Sequence, residues 1–421
     1  MASFDLWVGN SNDRSSYGFR HRLLFLSEEG SDQATWYHST NVGDLKTGGA
    51  FKLQIDEKSL DSHVLDSRFF VGKFAAKDKD KVKDVLQRTP ATFCQQWVSD
   101  VLEALEKESL VSKGTMKKSL HFDISTPSAM DETSHLKQGV PPFIVEPSNH
   151  HTHSVIFLHG LGSNGEKFGR ELLKTGICFD GKSLPDLFPD ARFIFPTSKR
   201  RRSSAFNRSM LTQWFDIASL SDPYYRSQTQ YQGLEQSSRE IFQLINEERR
   251  KVPEKNIILG GISQGCAMSL MCLLALDFPI GGFIGMSGWL PFAGDVRQIA
   301  EKNTDQHVSG DEGDPFEIFD NESDLRDAGA KVHGYVKELL ALAGPERSKA
   351  LGALSTPVAL GHGEADEKVV PALGEQACRA LLSTGFEVEW KSYEGQGHWY
   401  KIPDQIDDIV KFIKERVGWS Y

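Results

Sequence analysis

Residues 256–276 constrain the fold of this chain more than any other stretch. The apolar run Asn256-Ile-Ile-Leu259 leads into Gly260-Gly-Ile-Ser-Gln-Gly-Cys266, and an apolar segment continues from Ala267 to Leu276. A buried strand, a glycine-bounded turn and a helix are predicted in that order. Glycine at 261 and 265 lets strand and helix approach closely, and the turn between them holds Ser263 in a sharp elbow. The N-terminal amides of the helix then face any negative charge that develops near Ser263. A Gly-x-Ser-x-Gly pattern alone is weak, because a glycine-rich turn also satisfies it. Its setting between strand and helix gives it weight.

A serine hydroxyl is a poor nucleophile without a base, and the base needs an acid to orient it. Downstream, the short strand Thr356–Leu360 runs into Gly361-His-Gly-Glu-Ala-Asp366. The alternating run Glu387–Tyr393 is followed by Glu394-Gly-Gln-Gly-His398. Asp366 and His398 therefore fall just past strand C-terminal ends, the edge at which open α/β sheets build their sites. Singly, each reads as an ordinary loop residue. Together, the order Ser, Asp, His makes Ser263 the candidate nucleophile, Asp366 the orienting acid and His398 the base. Glu364 is the alternative acid. His362 precedes the acid and reads as structural. A second strand, Ser154–Leu158, runs into His159-Gly-Leu-Gly162, and the amides of Leu161 and Gln264 are the candidate oxyanion-hole donors.

These stretches carry a resemblance. Val155-Ile-Phe-Leu-His-Gly-Leu-Gly162, Arg192–Pro196, Trp214–Ile217, Ile257–Gly265, Met286–Pro291, Gly361–Asp366, Val370-Pro371 and Tyr393–Gly395 with His398 resemble the acyl-protein thioesterase, carboxylesterase and lysophospholipase family of small serine hydrolases. The resemblance covers residues 152–293 and 354–417. It implies an α/β-hydrolase fold, a mostly parallel sheet with helices on both faces. It also implies the site roles above, hydrolysis of a small acyl ester or an S-acylated protein, and no metal or organic cofactor. Glu364 stands where the family usually has Asp, and Cys266 where it usually has Gly. The family's apolar lid is replaced by the basic segment Ser198–Leu211. Lys199, Arg200, Arg201, Arg202 and Trp214 are candidate substrate-binding residues, and the segment reads either as a solvated loop or as contact with an anionic substrate or membrane surface. About 60 residues, Ala293 to Ala353, are inserted before the strand leading to Asp366. They include the acidic stretch Asp311–Asp327 and a helical pattern over Ala330–Leu342. A cap, a partner-binding lobe and a surface excursion all fit.

Charge and cysteine usage narrow the setting. A net charge of −10 argues against nucleic-acid binding. No apolar stretch is long enough for a signal peptide or a bilayer span. Five cysteines without regular spacing suggest free thiols, and a cytoplasmic location is expected. His150, His151 and His153 cluster, but an exposed loop without a fixed fourth ligand predicts no metal site.

The chain divides into a small α+β domain at 1–114, a linker at 115–139 and the hydrolase domain at 140–421. The linker reads from its turn formers and low hydrophobicity. In the first domain, His21–Leu26, Thr35–His38, Phe51–Ile55 and Arg68–Phe74 read as strands, and Asp78–Gln87 and Gln95–Leu110 as helices. Cys94 opens the last helix, where a thiol feels the helix N-terminus. With His21 and His38 upstream on strands, residues 18–108 resemble permuted papain-like domains of the NlpC and lecithin-retinol acyltransferase group, although Arg22 stands where that group usually has Trp. Cys94 reads either as reactive or as a buried structural thiol. The alternatives to a serine hydrolase with an accessory domain are a two-headed enzyme and a non-catalytic binding protein on a hydrolase fold.

Overall fold

The structure is a computed structural model, and it describes residues 3–11, 21–42, 50–59, 65–91, 94–116, 119, 140–219, 221–301, 322–342 and 352–419. The chain forms two compact units, Met1–Ser134 and His135–Tyr421.

The first unit holds a five-stranded antiparallel sheet and, among the described residues, helices that pack on it. Its strands are β1 (Ser3–Ser11), β2 (His21–Glu28), β3 (Gln33–Val42), β4 (Ala50–Ser59) and β5 (Leu65–Ala75), in the spatial order β4-β3-β2-β1-β5. β1 was not expected from the sequence, yet it is an interior strand paired on both sides, with β2 and β5. Phe4, Leu6 and Val8 alternate into the core, and Trp7 stacks on Phe25 across the other face. Helices Lys79–Arg88 and Cys94–Lys107 carry the predicted apolar stripes. Val82, Val85, Leu86, Trp97, Val98, Val101, Leu102 and Leu105 are fully buried against the sheet, each contributing on the order of 1.5–3 kcal/mol. The unit runs past residue 114. Met116 packs against this core, and Arg22 Nη2 donates to the Ser119 carbonyl at 2.6 Å. Residues 117, 118 and 120–139 of the expected linker lie outside the described residues.

The second unit is built on a seven-stranded sheet. Its strands are β6 (Phe143–Val145), β7 (His153–Leu158), β8 (Ala191–Phe195), β11 (Ile257–Ile262), β12 (Gly282–Met286), β13 (Val358–Gly363) and β14 (Val388–Tyr393). The order is β14-β13-β12-β11-β7-β8-β6; all pairings are parallel except that of edge strand β6 with β8. A separate hairpin, β9 (Arg200–Arg202) with β10 (Met210–Thr212), replaces the expected basic loop. Every residue of central β11 is buried, as a strand covered on both faces requires. On one face Val155, Phe157, Phe193, Phe195 and Ile284 pack with Phe168 and Leu172 of helix Gly165–Thr175 and with Ile406, Ile409 and Phe412 of helix Asp404–Phe412. Helix Gln264–Leu274, apolar all round and wholly buried, covers the other face.

Among the described residues, the insertion supplies helices Ala293–Glu301 and Glu322–Leu339. The second starts eight residues before the expected Ala330. It is clamped to the end of helix Gln264–Leu274: Lys337 Nζ donates to both Asp277 oxygens at 2.6 and 2.7 Å, and His333 lies 3.1 Å from Asp277 Oδ1 and 2.9 Å from the Leu274 carbonyl. Residues 302–321, which hold most of the acidic stretch, lie outside the described residues. Among the described residues, no helix is long and apolar enough to cross a membrane.

Candidate active site

The turn after β11 is as tight as its sequence demands. A Cβ on Gly261 would lie 2.6 Å from the Leu158 carbonyl oxygen and 2.8 Å from the Gly265 carbonyl carbon, so a side chain there forces strand and helix apart. Ser263 sits between them at φ 56°, ψ −124°, outside the regions that L-residues favour. Such strain persists only where the surroundings over-determine it. Here the Ser263 amide donates to the Met286 carbonyl at 2.9 Å, and the Ala267 amide to the Ser263 carbonyl at 3.0 Å. The helix therefore starts directly after Ser263, three residues earlier than the expected Ala267.

The loops after β13 and β14 converge on this serine. Ser263 Oγ is 2.9 Å from His398 Nε2, and His398 Nδ1 is 2.7 Å from Asp366 Oδ2. The carboxylate accepts only, so Nδ1 bears the proton and Nε2 presents its lone pair to the hydroxyl. Asp366 has no exposed side-chain surface. Burial pushes its carboxyl up, but bonds from His362, His398 and the Val369 amide outweigh this and hold it well below the usual carboxylate range. The Lys368 and Val369 amides donate to Oδ1 at 2.9 and 3.0 Å. Glu364 is exposed and accepts from Ser392 Oγ at 2.9 Å.

The turn after β7 lies against the nucleophile. A Cβ on Gly160 would be 3.3 Å from Ser263 Cβ and 3.8 Å from its Oγ, and helix Gln264–Leu274 starts directly after the serine. Side chains fix this turn. His159 Nε2 accepts from the Ser198 amide at 3.0 Å, and Nδ1 donates to the Gly160 carbonyl at 2.7 Å. Burial pushes His159 down to about 4, which keeps that tautomer neutral. Trp214 Nε1 donates to the His159 carbonyl at 2.8 Å. The Gln264 side chain accepts from the Trp214 amide at 3.0 Å and donates to the Phe215 carbonyl at 2.8 Å. The sequence reading assigned Gln264 only a backbone role and missed this clamp, because spacing does not reveal where a loop side chain points.

The expected substrate-binding residues separate. Trp214 is buried. Lys199 pairs with Glu240. Arg201, half-buried, donates to the Gln213 carbonyl at 3.3 Å and to Gln236 Oε1 at 3.0 Å. Arg200 and Arg202 are exposed, beside exposed Phe206, Arg208 and Met210. A cavity of about 230 Å³ lined by Ala359, Gly361, Tyr393, Gln405 and Ile409 does not include Ser263. Among the described residues, no group of His, Cys, Asp and Glu side chains is arranged to hold a metal. In the first unit, His38 lies 3.1 Å from Asp56 on the neighbouring strand. The side chains of Cys94 and His21, on which the two-headed alternative turns, lie outside the described residues.

Comparison with known proteins shows what the chain is similar to. The profile of the phospholipase/carboxylesterase family matches residues 141–313, and that of the prolyl oligopeptidase family residues 325–419. The chain is similar to acyl-protein thioesterase 1 of Gibberella zeae, 25% identical over 283 residues, covering 66% of this chain and 96% of the relative. It is similar to acyl-protein thioesterase 1 of Candida albicans, 27% identical over 267 residues, covering 63% and 92%. Among solved structures, acyl-protein thioesterase 2 of Zea mays aligns at 25% identity with a TM-score of 0.46, covering 66% of this chain and all of that one. The second unit of this chain is an α/β-hydrolase that resembles the acyl-protein thioesterases and carboxylesterases, and the protein is a carboxylic ester or thioester hydrolase.

Proposed function

We propose that Ser263, His398 and Asp366 act as a catalytic triad through an acyl-enzyme. The observation that carries this reading is the contact chain of 2.9 and 2.7 Å ending on a serine in a strained elbow. Ser263 Oγ attacks the acyl carbon while His398 Nε2 takes its proton. The negative oxygen that forms is met by the amides of Leu161 and Gln264. The ester or thioester bond then breaks, His398 returns the proton to the leaving oxygen or sulfur, and water repeats the sequence to release the acid. Asp366 stays ionised and stabilises the imidazolium.

The relatives named acyl-protein thioesterase support an S-acylated protein as substrate, with small acyl esters as surrogates. Exposed Arg200, Arg202 and Arg208 beside Phe206 and Met210 suit an anionic membrane surface, where such substrates reside. The described thiols Cys178, Cys266, Cys272 and Cys378 are free and buried, and we assign the chain to the cytoplasm. The N-terminal unit is proposed to be accessory. Turnover of matched oxygen-ester and thioester series by wild type and Ser263→Ala tests the reading. Both series should respond to chain length in wild type and fall to background in the variant. Retained turnover in the variant removes Ser263 from the mechanism.

A further inference from the structure

Asp366 receives one donor more than a triad needs. His362, the second-to-last residue of β13, has a ring that is 1% exposed, with Nε2 2.8 Å from the Val369 carbonyl oxygen and 3.2 Å from Asp366 Oδ2. A carbonyl and an ionised carboxylate both accept only, so Nε2 bears the proton, donates it to the Val369 carbonyl and turns the same edge of the ring toward Asp366 Oδ2. Oδ2 is the same oxygen that holds His398 Nδ1. Val369 is tied twice, its amide to Asp366 Oδ1 and its carbonyl to His362. His362, Asp366 and Val369 therefore form a closed ring of contacts, with the Val369 amide and carbonyl hydrogen-bonded to Asp366 and His362 and the 3.2 Å approach of Nε2 to Oδ2 closing it.

The surroundings make room for an imidazole at a cost. Gly374 faces the ring, and a Cβ there would lie 2.5 Å from Nδ1. Trp390 packs 6.1 Å away between ring centroids. An apolar side chain would fill this slot without a polar group to satisfy; a buried imidazole is retained at no cost only where it is bonded. We propose that His362 is a positioning residue for the acid–base pair: its Nε2–H fixes the Asp366 carboxylate and draws charge from the oxygen that orients His398. The proposal rests on the triad reading above.

The groups facing this ring leave the direction of the effect clear. Asp366 and, through it, His398 come from the loops. The nucleophile helix presents the Cys266 thiol, which burial pushes up to about 12 and keeps neutral. Helix Pro371–Ser383 presents Gly374 and Ala377, and β14 presents Trp390. Glu364, Glu367 and Lys368 are exposed. Removing the His362 donor concentrates negative charge on Oδ2 and favours the protonated imidazolium of the base. The acid limb of kcat/KM must then move to higher pH.

The test compares wild type, His362→Phe and His362→Gln in the full chain, with p-nitrophenyl acyl ester turnover followed across the histidine titration range. His362→Phe should lower kcat at unchanged KM and raise the acid limb by about half a unit to one unit. Gln, which keeps a donor, should bring the limb back toward wild type. A folded Phe variant with an unmoved limb, or a Gln variant no closer to wild type, overturns the proposal. Nitrogen-15 spectra of wild type give an answer that does not depend on variant folding. His362, one of 13 histidines, should show the Nε2–H tautomer, and an Nδ1–H tautomer overturns the proposal. Fluorophosphonate labelling of Ser263→Ala separates the two claims. Persistent labelling removes the triad, whereas lost labelling with an unmoved limb removes His362 alone.

Discussion

Replacing Asp366 by Asn tests the proton bookkeeping of the site. Asp366 Oδ1 accepts from two backbone amides, at 2.9 and 3.0 Å. The Asn carbonyl oxygen must take that place, because an NH2 there would oppose two donors. The NH2 is then aimed at His398 Nδ1, now 2.7 Å from Oδ2. It can be satisfied only if Nδ1 gives up its proton, which moves to Nε2 and points at Ser263 Oγ. The base then donates where it must accept. We expect kcat to fall by about 10⁴, or about 5.5 kcal/mol of barrier, with KM little changed. Glu364→Gln disturbs only an exposed bond from Ser392 and should change kcat by less than about threefold. The assay is steady-state turnover of a p-nitrophenyl acyl ester by both variants, with melts to establish folding. An Asn variant within about tenfold of wild type, or a larger loss in Glu364→Gln, refutes the reasoning.

Trp214→Phe keeps the buried ring but removes the N–H that holds the His159 carbonyl; kcat should drop about tenfold with KM steady, and a change in KM alone would contradict a role in fixing the turn. Arg200→Ser with Arg202→Ser should weaken binding to phosphatidylserine vesicles by about tenfold at low salt and not at high salt, whereas Lys199→Ser, already paired with Glu240, should do little. Asp277 is pushed up by burial, but its bonds from His333 and Lys337 bring it down from 3.8 to about 2. A depressed carboxyl stabilises the fold above its unfolded value and loses that contribution as pH falls through the folded value. Asp277→Asn should therefore lower Tm at neutral pH, and the gap from wild type should close as pH falls from 3.8 toward about 2.

The elbow was legible because it joins three local signals: an apolar strand, glycines where backbones nearly touch, and an apolar helix. Asp366 and His398 were legible because each follows a strand in the required chain order. β1 was not, since Phe4, Leu6 and Val8 face one core while Trp7 packs on the other face, which blurs the alternation. The insertion helix was read from Ala330 because its first turns, Glu322–Asp327, carry no apolar period. The basic stretch read as four equivalent cations. Only the fold divides them, tucking half-buried Arg201 against Gln236 and pairing Lys199. The contact of His362 with Asp366 depends on how the loop between them bends back, which spacing does not encode.

Catalysis through this triad requires a covalent acyl-Ser263 intermediate, and trapping it is the most direct measurement. Wild-type protein quenched in acid during turnover of a slowly deacylated ester should yield, by peptide mass spectrometry, the acyl group on Ser263. His398→Ala should yield none. An acyl group found on another residue, or undiminished acylation of Ser263 in His398→Ala, would contradict the account.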